Sequence, residues 1–255
     1  MILSKNKKGN DQIDAMFTNG AHFGYDRSRR HPSVMKFIFG RKNNVEIFDL
    51  EKTEVKLQEA KEYVKKIASQ NKQILFVGGK KEAQAVIENA AMKIDQPYVA
   101  GRWIGGTLTN FEEIKKRVKH YLDLVSQKEK GELVKYKKKE RLLIEKEITK
   151  LETKFSGISN MDRKPAAVFI VDANREHIAR DESISGGVPV ISLSSTDCNF
   201  DKIDYVIPGN DSSLESIKFF VGEMVSSYEE GKQNPEVKPE EKKNQKNSFD
   251  SELKI

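Results

Sequence analysis

A single cysteine in 255 residues, Cys198, has no partner for an internal disulfide. The fold must therefore rest on its core, and a reducing compartment suits it. Long apolar runs are also missing: none approaches the ~20 residues that span a bilayer. Residues Met1–Asn10 lack the apolar centre of a secretory signal. A soluble, cytoplasmic protein with no membrane partner is the expectation. The four histidines, His22, His31, His120 and His177, are scattered without His-Glu-x-x-His or Cys-x-x-Cys spacing, so no metal is expected. Phosphate-cradling patterns are lacking as well. Gly78-Gly79-Lys80-Lys81 follows a strand-like run, yet neither Gly-x-x-x-x-Gly-Lys-Ser/Thr nor Gly-x-Gly-x-x-Gly occurs there. Without such spacing the backbone does not aim several N–H groups at one phosphate. No Gly-x-Ser-x-Gly elbow supplies a nucleophile. Asp172, Glu176 and His177 remain as acid–base candidates, but neighbours 176 and 177 on a helix point about 100° apart. A nucleotide-dependent α/β enzyme is thus the disfavoured alternative, and the expectation is no enzyme and no cofactor.

Charge is what the chain has in abundance. Charged residues make up 33% of it and hydrophobic residues 37%, with a net charge of +6. That balance affords a core and favours a polyanionic partner, nucleic acid before acidic lipid. Cations interleave with rings at Phe23, Tyr25, Arg27, Arg29, Arg30 and His31, at Arg41-Lys42, and at Arg102-Trp103. Arg and Lys serve phosphates, while rings and guanidinium planes stack on splayed bases. Three such clusters on separate loops suit several backbone contacts on a folded RNA better than one groove. The candidate RNA-binding residues are Arg27, Arg29, Arg30, Arg41, Lys42 and Arg102.

The chain's order of elements points to an α/β fold. Asp11 or Asp14 opens a short helix through Phe17, and runs 37–39 and 45–48 flank an Asn-rich hairpin turn. Helices over about 49–70 and 82–92 alternate with strand-like runs 73–77 and 98–99. That rhythm predicts a parallel sheet covered on both faces. It breaks at Arg102-Trp103-Ile104-Gly105-Gly106, after which the chain is expected to turn helical from Thr107. Phe111, Ile114, Val118, Tyr121 and Val125 step by three and four, a heptad seam. After Gly131, Ile144, Ile148, Leu151 and Phe155 form a second seam, with Lys137 and Arg141 as charged positions nearer the turn. Two helices of roughly 22–24 residues would make an antiparallel hairpin about 33–36 Å long. Strands over 166–171, 188–193 and 205–207 then resume, with a helix over 175–185 ended by Gly186-Gly187. Asn210-Asp211-Ser212 is placed to cap the last helix. At the junction, Gly105-Gly106 turns the backbone, Thr107 or Thr109 caps the first hairpin helix, and Trp103 packs the hairpin's base rather than stacking on bases. The domain plan is a flexible basic arm at 1–10, an α/β RNA-binding domain at 11–106 and 156–231, a coiled-coil hairpin at 107–155, and a disordered tail at 232–255.

Several of these stretches together resemble the bacterial small-subunit ribosomal protein two family. They are Gly20-Ala21-His22-Phe23-Gly24, Phe39-Gly40-Arg41-Lys42-Asn43, Ile47-Phe48-Asp49-Leu50-Glu51-Lys52-Thr53, and Ile74-Leu75-Phe76-Val77-Gly78. Arg102 to Asn110, Asp172-Ala173 with Glu176-His177-Ile178-Ala179, and Asp204 to Asp211 complete the set. The resemblance covers roughly residues 11–231. It implies a flavodoxin-like parallel sheet with an inserted antiparallel coiled-coil hairpin. It also implies a non-enzymatic constituent of the small ribosomal subunit that binds ribosomal RNA between head and body. Neighbouring small-subunit proteins are the implied partners, among them the large messenger-binding ribosomal protein where that exists; no homo-oligomer is implied. Tyr25 stands where the family commonly has His, and Ser195–Phe200 replaces a more acidic, Pro-containing loop, which puts any cation-binding role of that loop in doubt.

Overall fold

The computed structural model describes residues 11–235. The expected basic arm at 1–10 and the tail from 236 onward lie outside the described residues. After helix α1 (residues 11–18) the chain enters β1 (Phe23–Asp26), two short 3-10 turns, β2 (Ile38–Lys42) and β3 (Val45–Phe48). These three strands form a small antiparallel sheet in the order β1-β3-β2. The β2–β3 turn needs two consecutive left-handed residues, and Asn43 (φ 50°) and Asn44 (φ 67°) supply them, since Asn tolerates that region best among residues with a side chain.

Helix α2 (Leu50–Ser69) follows, started by Asp49, whose side chain accepts the Glu51 N–H at 3.2 Å. Strand β4 (Ile74–Val77), α3 (Lys81–Lys93) and β5 (Tyr98–Val99) come next, then the paired helices α4 (Phe111–Glu129) and α5 (Lys138–Phe155). The chain closes with β6 (Ala167–Val171), α6 (His177–Ser185), β7 (Val190–Ser194), β8 (Tyr205–Pro208) and α7 (Leu214–Gln233). All five later strands are parallel, in the order β5-β4-β6-β7-β8. The order reverses at β4, which gives the doubly wound, flavodoxin-like topology.

Continuous apolar strands follow from burial on both faces. Ile74, Phe76, Phe169, Ile191 and Ile207 face one way, into a core built with α2, α3 and α7. Leu75, Val77, Val168, Ile170 and Val206 face the other way, toward Trp103, Leu108, Phe155 and the small sheet's Phe48. Alternation along each strand thus divides one apolar sequence between two cores. Helices α2 and α7 are also laced on their solvent side by Lys61–Glu223 and Lys65–Glu230 ion pairs.

Four boundaries differ from the sequence expectation. Helix α4 begins at Phe111 rather than Thr107, because residues 105–110 are consumed by a turn. Neither Thr107 nor Thr109 caps it: Thr107 donates its hydroxyl back to the Ile104 carbonyl at 2.6 Å, and Asn110 is the flanking residue. Helix α5 starts only at Lys138, after a 3-10 turn at Glu132–Lys135, with the Glu140 carboxylate accepting the Lys137 N–H at 2.9 Å. The two helices have 19 and 18 residues, so each is roughly 27–29 Å long at 1.5 Å per residue. Finally, Asp211 does not cap α7, which starts after Ser213 and continues to Gln233, past the expected tail boundary at 232. Asn210 alone accepts the N–H groups of Ser212 and Ser213 ahead of that helix. Asp211 is instead drawn into an ion cluster.

Candidate nucleic-acid interface

Register in the small sheet brings two of the basic clusters together. Asp26 pairs across to Val45, and Val45 pairs on its other side with Lys42. The turn carrying Arg27 and Arg29 therefore emerges at the same sheet end as Arg41 and Lys42, and all four are exposed. The Asp26 carboxyl records this crowding. The Ser28 backbone and side-chain bonds come first in lowering its pKa, and the nearby Arg41 and Arg29 add to the effect. Arg30 is placed differently. It turns inward to Glu46 on β3 at 2.7 Å, where Glu46 is buried, so its guanidinium is already committed. Arg102 stands apart on the loop after β5 and is exposed. Four of the six candidates thus share one surface, one is internally paired and one lies elsewhere.

The corner before α4 is held by a residue that sequence reading missed. Trp103 is buried, with 6% exposure, in the core that includes Phe111, Phe155 and Val188. Its indole N–H donates to Glu182 Oε1 on α6 at 3.2 Å. The same oxygen accepts the Gly106 N–H at 2.7 Å, and Oε2 accepts the Leu108 N–H at 3.1 Å. One carboxylate therefore gathers the free N–H groups of the turn, as a cap residue would. Gly106 adopts φ +92°, a conformation that strains any residue with a side chain. Nothing around position 182 marks this role in one dimension, since an acid on a short helix ordinarily faces solvent.

The crevice beyond the carboxyl ends of β4 and β6, where doubly wound sheets bind ligands, holds an internal ion cluster. Lys80 Nζ lies 2.6 Å from Asp172 Oδ2 and 2.9 Å from Asp211 Oδ1, and all three side chains are nearly buried. Burial works against the Lys80 charge, but Asp211 and Asp172 outweigh it and raise the ammonium's pKa. Asp172 itself has φ +66° and accepts the Arg175 N–H at 3.0 Å. Glu176 is buried while His177 is exposed, so the two candidates do not converge on one reacting atom. Burial, with Asp172 nearby, raises the Glu176 pKa against the pull of Arg175. Among the described residues no group of three or more His, Cys, Asp or Glu side chains is arranged to hold a metal ion. No helix among them is long and apolar enough to cross a membrane.

A doubly wound parallel sheet whose crevice is occupied by its own lysine, with exposed arginines on an appended small sheet, defines a flavodoxin-like α/β protein. The chain belongs to the ribosomal protein S2 family, which it matches over residues 16–231. It is 38% identical to the small ribosomal subunit protein uS2 of Chloroflexus aurantiacus, over 89% of this chain and 96% of that protein. It is 40% identical to the uS2 of Pseudoalteromonas atlantica, over 89% of this chain and 93% of the relative. For the uS2 of Roseiflexus castenholzii the identity is 40%, over 87% and 84% respectively.

Proposed function

We propose that the chain is a structural constituent of the small ribosomal subunit, in the cytoplasm, that binds ribosomal RNA between head and body without turnover. The observation that carries this reading is the exposed group Arg27, Arg29, Arg41 and Lys42 at one end of the small sheet. Four cations on one rigid edge suit phosphates spaced along a folded RNA backbone. Arg102 provides a separate contact, and Arg30 acts mainly through Glu46. The α/β body, residues 11–106 and 156–231, is the RNA-binding unit. Helices α4 and α5 form a coiled-coil arm, supported by the burial of Phe111, Ile114, Val118, Tyr121, Ile148 and Phe155. Neighbouring small-subunit proteins, including the large messenger-binding ribosomal protein, dock on the assembled particle, where the chain serves as a single copy.

The test combines co-sedimentation with small subunits and filter binding to small-subunit ribosomal RNA across a salt series. Each phosphate neutralised releases counterions, so replacing Arg27, Arg29, Arg41 or Lys42 by Ala should reduce the slope of log K against log salt by roughly one unit. Arg30→Ala should leave that slope nearly unchanged. A chain absent from purified small subunits, or RNA binding indifferent to salt, would refute the reading.

A further inference from the structure

The turn that carries Arg27 and Arg29 is pinned at both ends to loops of the parallel sheet. Before the turn, the Tyr25 N–H donates to Thr196 Oγ1 at 2.9 Å; after it, the His31 N–H donates to the Thr196 carbonyl at 2.8 Å. Contact at this seam is so close that a Cβ on Gly24 would lie 2.5 Å from Thr196 Cγ2. The Tyr25 phenol then reaches into the ion cluster. Its hydroxyl donates to Asp211 Oδ1 at 3.2 Å, accepts from Lys80 Nζ at 3.2 Å, and lies 2.7 Å from Ser212 Oγ. On its outer side, the Tyr25 ring lies under the Arg29 guanidinium, 5.6 Å from centroid to carbon.

We infer that Tyr25, Lys80 and Asp211 are positioning residues that pre-order Arg29 for phosphate contact, an inference that rests on the RNA-binding reading above. The crevice that would hold a ligand in a doubly wound enzyme is here used as a socket for one phenol. Lys80 cannot itself meet RNA: it is buried and its ammonium is shared between Asp172 and Asp211. It acts by holding the Tyr25 hydroxyl, which fixes the ring, which in turn supports the guanidinium by a cation–π contact. An arginine already held in place loses less side-chain freedom on binding than one that must be ordered by the RNA.

The experiment measures binding of the full chain to small-subunit ribosomal RNA for Tyr25→Phe, Arg29→Ala, Arg102→Ala and the double variants. Tyr25→Phe removes one oxygen and leaves the Lys80–Asp172–Asp211 cluster intact, so it remains informative where Lys80→Met fails to fold. Expected for Tyr25→Phe is roughly three- to tenfold weaker binding, the cost of ordering one long side chain, with the salt slope unchanged. Its effect should be lost in the Arg29→Ala background and fully retained in the Arg102→Ala background. A general loss of structure would not discriminate between those two backgrounds. Wild-type affinity in Tyr25→Phe, or equal effects in both backgrounds, would overturn the positioning role. A wild-type chain with no salt-dependent RNA binding would instead overturn the RNA reading itself.

Discussion

Replacing Glu182 by Ala should loosen the corner between the sheet domain and the helical pair, and the only tryptophan of the chain sits there to report it. The substitution removes the acceptor for the Trp103 indole at 3.2 Å, the Gly106 N–H at 2.7 Å and the Leu108 N–H at 3.1 Å. A hydrogen bond to a charged group contributes ~1.5–3 kcal/mol in isolation, but here one partly exposed carboxylate is shared by these three donors and, at 3.4–3.5 Å, by the Thr109 N–H and hydroxyl. The expected loss is therefore roughly 2–3 kcal/mol in all. For a chain of this size each kcal/mol lowers Tm by about 2–4 °C, so the drop should be about 4–12 °C. The Trp103 emission should shift to the red and become more accessible to acrylamide as the turn opens. Glu182→Gln keeps one acceptor oxygen but points an amide donor at N–H groups, so it should show more than half the loss. Scanning calorimetry with tryptophan fluorescence decides the matter. A Tm within about 1 °C of the wild type, with unchanged emission, would refute the clamp.

Three other outcomes are expected from the same geometry. Burial pushes the Cys198 thiol up to about 11, leaving about a thousandth of it as thiolate at pH 8; iodoacetamide should spare the folded chain and label it once in guanidinium, and rapid labelling of the native protein would contradict the buried placement. His22 stacks on Phe17 at 4.4 Å and lies tilted against Phe23 at 4.0 Å, and desolvation lowers its pKa below 6.5. The unfolded chain therefore binds this proton more readily, so the stability His22 provides is complete above pH 6.5 and declines as pH falls through the depressed folded value. His22→Phe should flatten the denaturant midpoint between pH 7 and 5, whereas parallel curves for variant and wild type would exclude His22 as the titrating group. Ile148, buried at 5% in α5, should cost roughly 2–5 kcal/mol when replaced by Ala. The same change at exposed Leu142, 51% accessible, should stay within about 0.5 kcal/mol; equal effects in urea denaturation would show that the seam between α4 and α5 is not formed in solution.

Much of the fold is legible in one dimension because its signals are local. The apolar runs 74–77 and 167–171, the spacing of Leu57, Ala60, Val64 and Ile67, and the Asn43-Asn44 turn each depend on neighbours within a few residues. Helix ends are less legible, because a cap is settled by whichever acceptor reaches the free N–H groups. In the turn that leads into α4 that acceptor is Glu182, more than 70 residues away in the chain. Arg30 groups with Arg27 and Arg29 by proximity in sequence. Strand pairing separates them by turning it toward Glu46.

By itself, then, the sequence determined the alternation of strands and helices, the basic character of the chain, and the lack of an internal disulfide and of phosphate-loop spacing; its resemblance to the ribosomal protein S2 family added the flavodoxin-like order. The alternation and the charge depend on composition and on periodicities of two and 3.6 residues, which a linear chain carries in full. The partners of its charges were decided only by tertiary structure. Lys80 comes after two glycines that lack phosphate-loop spacing, and nothing near it in the chain names its partners; the close of β6 and β8 places Asp172 and Asp211 against it. With both carboxylates within 3 Å and all three side chains nearly buried, the ammonium is neutralised inside the fold, and the lysine becomes part of the frame.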